Sequence, residues 1–464
     1  MTISATPKFT RREEARHLLG VALPLVAAYI AEYLMFVTTK LVVGELGFQH
    51  LAAVGLSGSL SFEMIVIFMG LLSITGVLAA QAEGAGRKED AGQAARQGLI
   101  LATILAVPLT ALVYNLDTVF RWTGQDPTVT ELAIPYIHVI SLFVAPALWF
   151  TVLRDFIAAL ARTRAIMFIT LAAVGINWAV AEGLVHGRWG LPEMGVAGAG
   201  VATALVHWLM VIVLLAYIYR TPALRGYGLF KARLRVIWPI IREIVWLGTP
   251  VAGLVAVEAG LFTAVGLLSG VIGAESLAAH QVLMGWIGIP FVIALAIAEG
   301  SMVRTAFNMG REDPAGARQA GLIGVTLGGG FLLLLIAAPI LLATEITNIF
   351  ISREDEGFAE VADIVVILMM IAAIFQVGDG IQVIAARSLR AVKDAFLPLW
   401  IGAFCYWGIG IGCGWLLAFP FGWGAAGLWS GLAVGIIFAA FLLTWRFIWL
   451  TGRIIRGERG AAVG

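Results

Sequence analysis

Stretches of about 20 apolar residues recur from one end of this 464-residue chain to the other, and nothing else in the sequence restricts its fold as strongly. Twelve are marked: 18–43, 51–79, 95–117, 132–158, 165–186, 196–219, 243–268, 277–301, 319–343, 361–386, 395–418 and 424–449. A run of that length crosses the hydrocarbon of a bilayer as a helix. Lipid offers no partner to backbone amides, so an open strand edge is excluded. A barrel would show ten-residue alternations instead of continuous apolar runs. Composition agrees, with 60% hydrophobic and 13% charged residues and a mean hydropathy of +0.95. Soluble domains carry about 25% charged residues, and a single globular core cannot bury this much apolar surface. The expected class is an all-α integral membrane protein.

The basic residues fall on alternate loops. One set holds Lys8, Arg11, Arg12 and Arg16 before the first span, then Arg87, Lys88 and Arg96, and then Arg162 and Arg164. The central loop adds Arg220, Arg225, Lys231, Arg233, Arg235 and Arg242. Further on come Arg304, Arg311 and Arg318, then Arg387, Arg390 and Lys393, and last Arg446, Arg453, Arg456 and Arg459. The other set holds only Arg121, Arg188 and Arg353. By the positive-inside rule both termini and the central loop are cytoplasmic, which requires an even number of spans. Residues 1–17 are polar and precede too long an apolar run to be a cleaved signal peptide. The expected location is the plasma (inner) membrane. The formal net charge of +1 gives no pointer to nucleic acid, which is not an expected partner.

The two halves repeat. Pro24-Leu-Val-Ala-Ala-Tyr-Ile-Ala-Glu32 returns as Pro250-Val-Ala-Gly-Leu-Val-Ala-Val-Glu258, both the proline and the glutamate displaced by 226 (250 − 24 and 258 − 32). Leu51-Ala-Ala returns at Leu277, and Gly86-Arg87 at Gly310-Arg311 with an offset of 224. Gly195 and Gly200 return at Gly422 and Gly427 with an offset of 227. Six spans per half place the start and end of each half on one side of the membrane, so the copies are parallel repeats about an axis along the membrane normal. The segments are then a cytoplasmic stretch 1–17, a first six-helix lobe 18–219, a basic linker 220–242, a second lobe 243–449 and a cytoplasmic tail 450–464.

A carboxyl inside hydrocarbon costs several kcal/mol and marks a functional position by default. Glu32 and Glu258 are such carboxyls, and Asp379 is a third, within Phe375-Gln376-Val-Gly-Asp379-Gly-Ile-Gln382. Gly378 and Gly380 are expected to loosen the helix there. Glu299 precedes Arg304 by five residues and reads as an inner-gate or structural pair. His207 and His280 read as packed, hydrogen-bonded residues. Cys405 and Cys413 lie eight apart on one helix, about 12 Å, too far for a disulfide. They supply no metal or redox framework. No phosphate-binding Gly-Lys-Ser/Thr loop is present, and Gly328-Gly-Gly330 reads as helix packing, so no enzymatic role and no cofactor are expected.

Several of these segments, taken in order, resemble the multidrug and toxic compound extrusion (MATE) family, closest to its NorM-like branch. They are Pro24 to Gly47 with Leu51-Ala-Ala-Val54-Gly, then Ala80-Gln-Ala-Glu-Gly-Ala-Gly86, Pro250 to Glu258-Ala, Ala278-Ala-His280-Gln, and Leu389-Arg390-Ala-Val-Lys393-Asp394. The resemblance implies two six-helix lobes in a V around a central cavity. It also implies export of cationic or amphipathic drugs by alternating access in exchange for H+ or Na+, the protein acting as a monomer. On that pattern Glu258 and Asp379 form the coupling-ion and cation site, with Gln376 and Glu32 beside them as candidates. Na+ is the one metal ion considered, at Glu258 and Asp379, with oxygens from Gln376, Gln382 and carbonyls freed beside Gly378 and Gly380. The want of a compact oxygen cage favours H+.

The first half departs from the pattern. Thr39 stands where the family carries an Asp, five residues before Gly44, and Lys40 follows it. Asn177 matches a family Asn; four residues on, Ala181 replaces a polar residue and Glu182 stands next to it. Thr39, Asn177, Glu182, Phe375 and Trp286 are further cavity candidates, the aromatics as faces for a cationic drug. A related two-lobed flippase of lipid-linked intermediates is the alternative function. It would favour basic residues in the cavity, where this chain offers Glu32, Glu258 and Asp379.

Overall fold

A computed structural model describes residues 9–231, 235–350 and 358–458. Lys8, Arg233, Arg353 and Arg459, counted above among the loop residues, lie outside the described residues, as do parts of the segments 1–17, 220–242 and 450–464. Among the described residues the chain is helical and contains no strand. Among these residues twelve helices are long and apolar enough to cross a membrane. In chain order they are α1 (Arg11–Gly44), α2 (Gln49–Gly84), α3 (Lys88–Tyr114), α4 (Pro127–Ala159), α5 (Thr163–His186) and α6 (Val196–Arg220). The second half supplies α7 (Trp238–Ile272), α8 (Ala274–Gly310), α9 (Pro314–Leu341), α10 (Phe358–Ala391), α11 (Phe396–Ala418) and α12 (Gly424–Ile455).

The helices overrun the apolar stretches, and local chemistry sets where they begin. α1 starts at Arg11 and not near residue 18, because Thr10 and Glu13 form a capping box. The Thr10 amide donates to Glu13 Oε2 at 2.8 Å and the Glu13 amide donates to Thr10 Oγ1 at 3.3 Å. α4 is capped by Asp126, whose Oδ1 accepts from the Thr128 and Val129 amides at 2.7 and 3.3 Å. Asp313 caps α9 through the Gly316 amide at 2.9 Å. In both cases proline follows the cap, at a position whose missing N–H costs nothing.

The helices gather into two compact units. One comprises the residues up to Val26 with those from Gly253 onward; the other is Ala27–Ala252. α1 and α7 each contribute to both, and each boundary falls two residues after a helix-interior proline (26 − 24 and 252 − 250). Small residues explain which unit each opening segment joins. A Cβ on Gly300 of α8 would lie 3.1 Å from both Ala22 Cβ and the Leu18 carbonyl, so α8 meets the start of α1 backbone to backbone. A Cβ on Gly248 of α7 would lie 2.4 Å from the Leu71 carbonyl of α2. Gly248→Ala is therefore expected to lower the thermal midpoint of the purified protein, by an overpacking cost of about 1–3 kcal/mol. Gly175→Ala in α5, where a Cβ meets nothing within 4 Å, is expected to leave the midpoint unchanged or slightly raised. Equal midpoints for the two variants would contradict this packing.

Each unit has its own core. In the unit containing Gly253 it includes Leu261, Val265, Met369, Phe375, Tyr406 and Trp429, with Phe375 edge-on to Trp429 at 5.6 Å. In the other, Ala53, Leu116, Phe120, Ala133 and Ile137 pack together. Large apolar side chains such as Val107, Leu267 and Phe441 point outward from mid-helix, as lipid-facing positions do. The chain is a multi-pass membrane protein.

Candidate functional site

Glu258 of α7, Asp379 and Gln382 of α10, and Tyr406 of α11 form one hydrogen-bonded cluster inside the second-half unit. Asp379 and Gln382 are three residues apart and so share a face of α10. The Gln382 amide nitrogen donates to Glu258 Oε1 at 2.9 Å and to Asp379 Oδ1 at 3.3 Å, bridging two helices. The Tyr406 hydroxyl donates to the amide oxygen of the same side chain. Tyr406 lies in a π-helical turn, Phe404–Ile411, which interrupts α11. Such turns re-aim side chains and recur at functional sites. Asp379, Gln382 and Tyr406 are buried, and Glu258 keeps partial exposure. Among the described residues neither carboxylate has an ion-pair partner; Arg387 is taken by Glu299. Two acids share one amide donor and no fixed cation, so desolvation leaves them short of positive charge. A proton, a small metal cation or an organic ammonium supplies it.

Other expectations for this region change. α10 runs unbroken through Gly378 and Gly380. Their hydrogens make room for neighbours: a Cβ at Gly378 would lie 2.9 Å from Ile437 Cγ1, and one at Gly380 2.1 Å from Leu332 Cδ1. The two glycines thus serve helix approach, and no carbonyls are freed beside them. Gln376 is buried but outside the cluster, with neither amide atom hydrogen-bonded. Phase matters here: Gln376 is six residues from Gln382, about 120° around the helix. Phe375 is fully buried against Trp429 and Phe262, and Trp286 packs against the same core. His280 also lies in it, 5.6 Å from the Trp429 ring, while His207 Nδ1 is 2.8 Å from the Thr203 carbonyl.

The expected pairing of Glu299 with Arg304 does not form. Residues five apart on a helix point about 140° apart, and each finds its own partner. Arg304 makes a two-pronged ion pair with Glu14 of α1, Nε to Oε1 at 2.7 Å and Nη2 to Oε2 at 2.8 Å. Asn308 adds a hydrogen bond to the same carboxylate at 3.3 Å. Glu299 pairs with Arg387 of α10.

The first-half unit places Glu32 in a different electrostatic setting. Arg154 of α4 lies 3.5 Å from Glu32 Oε2 and 3.4 Å from Asp155 Oδ1, with its guanidinium 5.0 Å from the Tyr29 ring. Glu32 thus has a resident cation and Glu258 has none. At the offset of 224 that relates Gly86 to Gly310, Asp155 falls on Asp379 and Arg154 on Gly378 (379 − 155 and 378 − 154). Arg154 stands inside an apolar stretch and belongs to no loop, so loop charges do not point to it. Gln382 and Tyr406 stand out no better in the sequence, since an amide and a phenol inside apolar helices carry no charge signal. Thr39 and Asn177 do come together, Asn177 Nδ2 donating to Thr39 Oγ1 at 3.1 Å. Glu182 points elsewhere, to Arg188 just beyond α5.

The family model described as MatE matches residues 24–181 and 250–416. The "Probable multidrug resistance protein NorM" of Rhizobium meliloti (strain 1021) is 34% identical over 439 residues, covering 95% of this chain and 94% of its own length. The "Multidrug resistance protein NorM" of Burkholderia vietnamiensis is 32% identical over 459 residues, covering 99% and 98%. Among solved structures, the eukaryotic MATE transporter AtDTX14 superposes with a TM-score of 0.86 at 21% identity, over 97% of this chain and 99% of that one. A MOP superfamily transporter from Pyrococcus furiosus gives 0.87 at 19% identity, over 95% and 97%. At such identities the structural matches speak to the fold, which is the two-lobed MATE fold.

Proposed function

The chain belongs to the MatE family of membrane transporters, and from that premise we propose that it exports cationic and amphipathic drugs in exchange for protons. It is a transporter and not an enzyme. The NorM relatives support multidrug efflux as the activity. One observation carries the mechanism: Glu258 and Asp379 share a buried site that lacks a fixed cation. A coupling ion and a cationic drug then compete for the same negative charge. Exchange follows because each cation, by neutralising the shared carboxylates, weakens binding of the other.

The proton is favoured over Na+ by the way Gln382 is turned. Its amide nitrogen points between the carboxylates while its oxygen accepts from Tyr406. A sodium ion between the acids would meet a donor where it needs an oxygen. The flippase alternative asks for basic side chains free to hold phosphate, whereas Arg154 is engaged by Glu32 and Asp155. The loop charges support an inner-membrane protein with both termini cytoplasmic, and each chain contains a complete acid pair, consistent with a monomer.

The test is exchange of a fluorescent organic cation in sealed proteoliposomes with the two gradients imposed separately. A pH gradient at equal Na+ is expected to drive uptake or release according to its direction. A Na+ gradient at equal pH is expected to do nothing above empty vesicles. Drive by Na+ alone would overturn proton coupling and leave the exchange reading intact; drive by neither would overturn the exchange.

A further inference from the structure

We propose that Glu45, Glu182 and His186 form a binding site for a first-row divalent metal ion of the Zn2+ class, within the unit Ala27–Ala252 and separate from the acid pair of the second half. The proposal does not depend on the transport reading. Each of the three residues presents one ligand atom, and those atoms all lie within 4.8 Å of one another. Glu182 and His186 are four residues apart on α5 and so project from one face of it. Glu45 directly follows Gly44, the last residue of α1.

Two features separate this trio from an ordinary ion-pair cluster. His186 Nε2 lies 3.4 Å from Glu45 Oε2, yet that nitrogen is buried and makes no hydrogen bond. Two ligands held 2.0–2.2 Å from a tetrahedral Zn2+ lie about 3.3–3.6 Å apart, so the spacing suits a shared metal. The second feature is graded burial. Glu182 is buried and His186 nearly so, while Glu45 is exposed, which leaves an entry path on one side. One imidazole and two carboxylates suit Zn2+ or its neighbours, with water as fourth ligand. Mg2+ and Ca2+ ask for more ligands, all of them oxygen. The +2 charge balances the two carboxylates.

Arg188 is the competitor. Its guanidinium contacts Glu182 and lies 3.9 Å from Glu45 Oε2, so it neutralises the acids when no metal is bound. About half of that side chain is exposed, and it has room to swing into solvent. A bound metal would join the end of α1 to α5, the same two helices that Asn177 and Thr39 link deeper in the unit. The metal thus acts as a brace on that seam.

Tag-free full-length protein, stripped with chelator in detergent, is titrated with Zn2+ by calorimetry and with Co2+ by visible absorption. One Zn2+ per chain is expected, with the intense visible bands of tetrahedral Co2+ and a raised thermal midpoint. His186→Gln and Glu182→Gln are each expected to weaken binding by about tenfold or more. Arg188→Gln is expected to tighten it by about tenfold, because a like charge within several Å is removed. That gain cannot be mistaken for a folding defect. The proposal is overturned if the wild type shows no saturable binding with a Kd tighter than about 1 mM. Binding that survives both ligand substitutions unchanged, or an Arg188→Gln affinity no greater than wild type, overturns it equally.

Discussion

Glu258→Gln abolishes drug efflux and leaves the protein in the membrane at its normal level: that is the largest effect expected from a single substitution. The replacement keeps the shape of the side chain and its hydrogen-bonding reach, so the contact between α7 and α10 through Gln382 survives. What it removes is one of two negative charges in a site with no fixed cation. A charge-assisted contact to a bound cation is worth about 1.5–3 kcal/mol, which corresponds to about a tenfold to hundredfold loss of affinity. The loss applies to both competing cations, and exchange needs both. Asp379→Asn is expected to behave in the same way, because Gln382 ties the two acids into one unit. The measurement is efflux and drug resistance at matched expression. Normal values for Glu258→Gln would sink the assignment.

The second large effect lies in the first half, and on stability more than on transport. Glu32→Gln removes one carboxylate from beside Arg154 and keeps Asp155, in a setting where just 14% of the arginine side chain is exposed. Leaving a buried charge short of its partner costs up to about 3–5 kcal/mol, and the remaining contact with Asp155 places the expected loss at about 1–3 kcal/mol. The double variant Glu32→Gln with Arg154→Gln should recover much of that loss, because both charges leave together. Thermal midpoints of the purified variants form the cycle that checks this, and additive losses would mean that the two residues do not act as a pair. Exchange in vesicles should fall further with Asp379→Asn than with Glu32→Gln. Complete loss with Glu32→Gln beside near-normal exchange with Asp379→Asn would reverse the roles of the two halves.

The difference between Glu32 and Glu258 shows where sequence reasoning ends. The repeat pairs them at an offset of 226, and only the family resemblance, with Thr39 in place of an Asp, puts Glu258 ahead of Glu32. The physical difference between them comes from a residue on another helix. Arg154 stands 122 positions from Glu32 in the chain, and Gln382 stands 124 positions from Glu258. One delivers a positive charge and the other an amide. Similarly, Arg304 stands five residues from Glu299 yet pairs with Glu14, 290 positions away.

The sequence by itself determined the twelve spans, the two-fold repeat, the family and the places of Glu258 and Asp379. All of these rest on local quantities: transfer free energy adds residue by residue along a span, and a carboxyl in an apolar run is conspicuous wherever the run packs. The capping box that starts α1 at Arg11 is equally local and was there to be read in Thr10 and Glu13. Only the tertiary structure decided that Gln382 and not Gln376 joins the acids, that Tyr406 completes the cluster from a π turn, that Glu32 faces Arg154, and that Gly378 and Gly380 tighten packing instead of loosening a helix. Each of those outcomes depends on the rotation of one helix against another. That rotation is set by many small contacts between residues far apart in the chain, and no local property of the sequence encodes it.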